Sequence, residues 1–148
     1  MEDPRLLELY KLAVDMADRV SARRATANAF FLTVQTALVA VLGVAAPNLA
    51  RSPWWVSLAV ALAGLVLSGS WWLQLRSYRD LNRAKFSVIN SVEQQLPIQI
   101  FAAEWTLLKQ DGLGRWRGRY AELGVIERIV PAVFAALYVL LFVGRLST

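Results

Sequence analysis

Residues 54–75 form an apolar run without a single ionisable side chain, and the stretch that follows, 76–96, is polar and charged but holds no Gly or Pro. At ~1.5 Å per residue the rise from Trp54 to Trp72 is about 27 Å, close to the ~30 Å hydrocarbon core of a bilayer. Trp54 and Trp55 stand at one end of the run and Trp71 and Trp72 at the other, where amphipathic rings anchor at headgroups. The pattern predicts one long helix, half in lipid and half in water, and the rest of the chain is organised around it.

Upstream, Asp3-Pro4 reads as a helix start, with Asp as N-cap and Pro at the first helical position. Leu6, Leu9, Tyr10, Ala13, Met16, Ala17 and Val20 recur at helical spacing on one face, while Glu8, Lys11, Asp15, Asp18 and Arg19 fill the other. Asp15 and Arg19 have the i,i+4 spacing of an ion pair. The acidic start and the late onset of the apolar stretch do not fit a signal peptide. Nothing breaks the pattern at Arg23-Arg24, so this helix is expected to continue into a first span over residues 25–46. That span is the most polar, carrying Asn28, Thr33, Gln35 and Thr36. An amide in hydrocarbon needs a partner, either a neighbouring helix or a polar pathway.

Pro47-Asn48 is expected to end the first span, and Ser52-Pro53 to start the second as N-cap and first helical residue. Ser57, Ala61, Gly64 and Ser68 then place small residues on one face, the spacing that lets helix backbones approach closely. Past the membrane, Leu81, Ala84, Val88, Val92 and Leu96 form a stripe expected to pack on the N-terminal amphipathic helix. Leu96-Pro97 bends the chain, and residues 98–110 read as a short amphipathic helix with Ile98, Phe101, Ala102, Trp105 and Leu108 on one face. Asp111-Gly112-Leu113-Gly114 reads as a loop. The alternating run Arg115-Trp116-Arg117-Gly118-Arg119-Tyr120 could stack on single-stranded nucleic acid, but directly before an apolar segment it reads as headgroup anchoring. A third span is expected over residues 125–144, with Pro131 in its first turns; a re-entrant or interfacial segment is the alternative.

The expected fold is therefore an all-α, polytopic membrane protein. It comprises a cytoplasmic amphipathic helix (1–24), spans over 25–46, 54–75 and 125–144, and a cytoplasmic helical region (76–122). Composition agrees: 57% of the 148 residues are hydrophobic, with a mean hydropathy of +0.43. The net charge of +5 is placed asymmetrically. All Lys and Arg lie before the first span, between the second and third, or at the loop-side edge of the third (Arg128), except Arg51 and Arg145. By the positive-inside rule the N-terminus and the large loop are cytoplasmic and the C-terminus is outside. Basic residues that flank spans suit anionic headgroups on the cytoplasmic side rather than nucleic acid.

Chemistry is scarce. With no Cys and no His, thiol chemistry, disulfides and the commonest general base and metal ligand are missing. No phosphate loop, metal cluster or nucleophile–base pair assembles, so neither enzymatic activity nor a cofactor is expected. No charged side chain is clearly embedded in a span, which removes the usual mark of ion-coupled transport. Glu127-Arg128 reads as an interfacial ion pair. Glu93 and Glu104 flank the bend at Leu96-Pro97 and are expected to be solvated, with acid–base or cation-binding work as the rival reading.

Two stretches carry a resemblance: Tyr10 through Asp18-Arg19-Val20-Ser21-Ala22-Arg23-Arg24 to Phe30-Phe31-Leu32, and Tyr78-Arg79-Asp80-Leu81-Asn82-Arg83-Ala84-Lys85-Phe86 to Leu96-Pro97 and Glu104-Trp105. They resemble the small bacterial inner-membrane proteins grouped as the RipA family of octameric membrane proteins. That resemblance implies an octamer in a bacterial cytoplasmic membrane and carries no catalytic motif. The two-span SLATT-type effectors share spans plus a cytosolic helix, but the third apolar segment departs from their plan. The expected role is a non-enzymatic, ring-like homo-oligomer of scaffold or membrane-stress type, with itself and membrane lipids as partners. The alternative is a pore lined by Asn28, Thr33, Gln35 and Thr36.

Overall fold

A computed structural model describes residues 4–101, 103, 106 and 114–147, with side chains omitted for Pro4 and for 114–126. Its elements are α1 (Pro4–Arg51), α2 (Trp54–Glu93) and α3 (Gly114–Leu146), and there is no strand among the described residues. All three helices are long and apolar enough to cross a membrane. The chain divides into two compact units: Met1–Ala25 with Arg76–Val125, and Thr26–Leu75 with Ile126–Thr148. Every Asp and Glu except Glu127 falls in the first unit.

The second unit holds the three apolar segments. Ser52-Pro53 alone separates α1 from α2, a connection that forces the two helices antiparallel. Polar and small side chains face inward: Gln35, Ser68, Ala61 and Gly64 are buried, while Phe30, Leu32, Val41, Val44, Leu62, Val66, Leu73 and Leu140 are exposed. A water-soluble bundle shows the reverse. With apolar side chains outside and polar ones paired inside, the unit is built for lipid.

Two helix ends differ from the sequence expectation. Pro47 does not end α1, which continues through it to Arg51. Proline removes its own N–H and crowds the carbonyl four residues back, here that of Gly43, but does not forbid one more turn. Ser52 also serves α1 rather than capping α2. Its hydroxyl donates to the Leu49 carbonyl at 2.8 Å and its N–H to Asn48 and Leu49 at 3.1 and 3.2 Å. Further on, Gly114, expected in a loop, opens α3, which then runs through the fully buried Pro131 without interruption.

In the first unit α1 packs against the end of α2 through Tyr10, Ala17 and Ile89, with Ala13, Val14, Val92, Leu96 and Phe101 around them. This corrects the expected stripe. Val92 and Leu96 face α1, but Leu81, Ala84 and Val88 are exposed, and Ile89 and Glu93 take the buried places. On α1, Leu9 and Met16 are likewise exposed. Phe86 and Phe101 meet edge to face at 5.9 Å, and Asp15 and Arg19 pair at 2.9 Å on the exposed side. α2 ends at Glu93, before Leu96-Pro97. Of residues 98–110, Ile100, Phe101, Ala103 and Thr106 are helical, while Ala102, Trp105 and Leu108 lie outside the described residues.

Candidate functional site

The sequence marked Gln35 as the polar residue at the centre of the first span, and it is the most enclosed side chain of the second unit, with 0% exposure. Both ends of its amide are used. Nε2 donates to the Ser68 hydroxyl of α2 at 2.8 Å, and Oε1 accepts the Tyr138 hydroxyl of α3 at 2.7 Å. One residue of α1 thus ties both other helices at a single level. A methyl group on Gly64 would land on the ring of Tyr138, so the small residue at 64 is what lets α3 come near enough for its hydroxyl to reach Gln35.

A second polar contact lies two turns away. Trp71 Nε1 donates to Asn28 Oδ1 at 2.8 Å, its ring stacks on Phe31 at 5.8 Å, and Phe134 of α3 lies at 6.2 Å, tilted. Trp71 is only 2% exposed, which corrects its reading as a headgroup anchor; Trp54, Trp55 and Trp72 are exposed. Trp72, the next residue, points ~100° further around the helix and faces out.

The four polar residues of the first span do not form one face. Asn28 and Gln35 turn inward, while Thr33 and Thr36 are exposed. Thr33 Oγ1 donates to the Ala29 carbonyl at 2.9 Å, the self-contained bond by which threonine hides its hydroxyl inside a helix. Of the small-residue face, Ala61, Gly64 and Ser68 are buried and Ser57 half-buried. The side chains of Arg115, Trp116, Arg117 and Arg119, and all of Glu104, lie outside the described residues.

Sequence reasoning missed two participants. Tyr138 sits in an apolar run and drew no attention, although a phenol in a span needs an acceptor. Glu93, expected to be solvated, is 2% exposed. Its Oε1 accepts the Tyr10 hydroxyl at 3.2 Å and the Phe101 N–H at 2.7 Å. Phe101 lies in the first turn of the segment after the bend, where free N–H groups favour an anion. Burial, then the charge of Glu93 and the bond donated to it, push the Tyr10 phenol above its ordinary value. The carboxylate therefore braces a corner of chain. Among the described residues, no group of three or more Asp or Glu gathers to hold a metal ion.

These features define a three-span helical membrane protein with a polar tie at the centre of its bundle and a second, partly charged helical unit. The chain belongs to the octameric membrane protein family, 8xMP, whose pattern matches residues 7–147. Comparison with curated proteins and with solved structures returns no match.

Proposed function

We propose that this chain is a non-enzymatic scaffold: a ring of eight identical subunits in a bacterial cytoplasmic membrane, of the kind the RipA resemblance implies. The second unit lies in lipid and the first in water, with the N-terminus cytoplasmic and the C-terminus outside. Its partners are further copies of itself and anionic lipid headgroups on the cytoplasmic side. It uses no cofactor and binds no nucleic acid.

The observation that carries the scaffold reading over a pore is the placement of Gln35. The most polar side chain of the first span is fully enclosed and bonded to two neighbouring helices, so it holds helices together instead of lining a lumen. Three spans bury little surface within one subunit, and repeated head-to-tail contact between copies closes into rings. The eight-copy number comes from the family's name. The test is the mass of the particle by native mass spectrometry, in mild detergent and in nanodiscs. A discrete eight-subunit mass is expected, and a strictly monomeric protein in both media would overturn the proposal. In planar bilayers the purified protein should stay silent; steady conductance altered by substitution of Thr33 or Thr36 would favour the pore.

A further inference from the structure

The second unit contains a crevice of about 230 Å³ at the end of the bundle that carries the α1–α2 turn. Its apolar wall includes Leu42 and Ala46 of α1, Val60 of α2 and Leu141 of α3, and Ser57, Tyr138 and Arg145 are its polar members. Ala46 and Leu141 are exposed, so the crevice is open along its side and, in a span, that side meets lipid. The volume falls below the ~300 Å³ where pockets for compact small molecules begin. A segment of hydrocarbon chain fits it better.

Charge decides what that chain is attached to. The second unit holds a single acidic side chain, Glu127, which starts the apolar part of α3, about 27 Å along the helix from Arg145 at ~1.5 Å per residue. At the crevice end the charged side chains are Arg51 and Arg145, both basic. Arg145 donates through one guanidinium nitrogen to the Ser52 carbonyl at 3.1 Å, which fixes it beside the turn that also carries Arg51. A guanidinium carries its donors in a fixed fork, the geometry and charge that suit a phosphate.

We propose that this crevice is a binding site for an anionic phospholipid, with one acyl chain between the helices and the phosphate at Arg145 and Arg51. The site belongs to the leaflet next to the α1–α2 turn, the one opposite the abundant Lys and Arg, so it is separate from the headgroup contacts of the basic loop. Tyr138 is shared: its ring walls the crevice and its hydroxyl is bound to Gln35. The lipid thereby braces the residue that ties α3 to α1.

The test uses the full-length protein in nanodiscs of phosphatidylglycerol and phosphatidylcholine with identical acyl chains, released into a mass spectrometer and read as lipid retained per subunit. Wild type should retain phosphatidylglycerol preferentially. Arg145→Gln should cut that preference about fivefold, the worth of ~1 kcal/mol for one basic residue at a charged surface. Ala46→Phe, which fills the open side and leaves both arginines in place, should lower retention of both lipids; it also keeps the test alive if Arg145→Gln fails to fold. Equal retention of the two lipids by wild type would overturn the proposal. So would an Ala46→Phe protein that changes particle mass but retains lipid normally, since a neighbouring copy would then be the occupant.

Discussion

Gly64 and Gln35 are the residues at which the membrane bundle is most easily broken, for opposite reasons. Gly64→Ala puts a methyl group into the Tyr138 ring, and overpacking of this kind costs about 1–3 kcal/mol. Gln35→Leu keeps the volume but strands the Tyr138 and Ser68 hydroxyls in a place without water, with a loss of about 1–3 kcal/mol expected. Both are checked by unfolding in mixed detergent micelles, and the double variant separates them. If the ring is pushed away in Gly64→Ala, the Tyr138 bond is already lost, so the two losses should add to less than their sum. Full additivity would mean that Gly64 does not position Tyr138.

At the scale of elements, the helices and their apolar character were legible in the sequence, because 3.6-residue periodicity and run length survive any packing. Two features were not. Pro47 was read as an end, yet it lies inside α1, as Pro131 lies inside α3. The face of α2 that meets α1 was drawn through Leu81, Ala84 and Val88 because Glu93 scored as polar; once Tyr10 and Phe101 supply donors, the carboxylate can be buried and the whole face turns toward Ile89. That contact has a pH signature. A phenol whose folded pKa is raised contributes stability that is complete below its ordinary value near ~10 and is lost as pH rises through the raised one. The first unit is thus expected to loosen in alkali, seen as faster amide exchange near Ala17 and Ile89 relative to the second unit. Tyr10→Phe should flatten the part of this dependence due to the phenol. Glu93→Gln, which removes the charge that disfavours phenolate, should move the loss to lower total stability but with a weaker pH slope.

For the whole molecule the open physical question is which way it crosses the membrane, and charge placement argues one answer. Arg51 and Arg145 are the only basic residues beyond the span ends on one side, against the many in 1–24 and 76–122. Short loops rich in Lys and Arg stay cytoplasmic. Three crossings then carry the two termini to opposite sides. The α3 helix bears on this directly, since its apolar part from Glu127 to Leu146 is long enough to cross, and Arg145 meets the α1–α2 turn at Ser52, which puts the end of α3 at the same level as that turn. A reporter active only outside the cytoplasm should therefore work when fused after Thr148 and fail when fused before Met1, with a cytoplasmic reporter showing the reverse. Moving charge supplies the sharper experiment. Replacing Arg115, Arg117 and Arg119 by Gln, while adding Lys on both sides of Arg51, narrows the bias from 14 against 2 to 11 against 4 and should leave the orientation unchanged. A mixed or reversed population would mean that the charges beside the third span, and not the overall Lys and Arg count, set the topology.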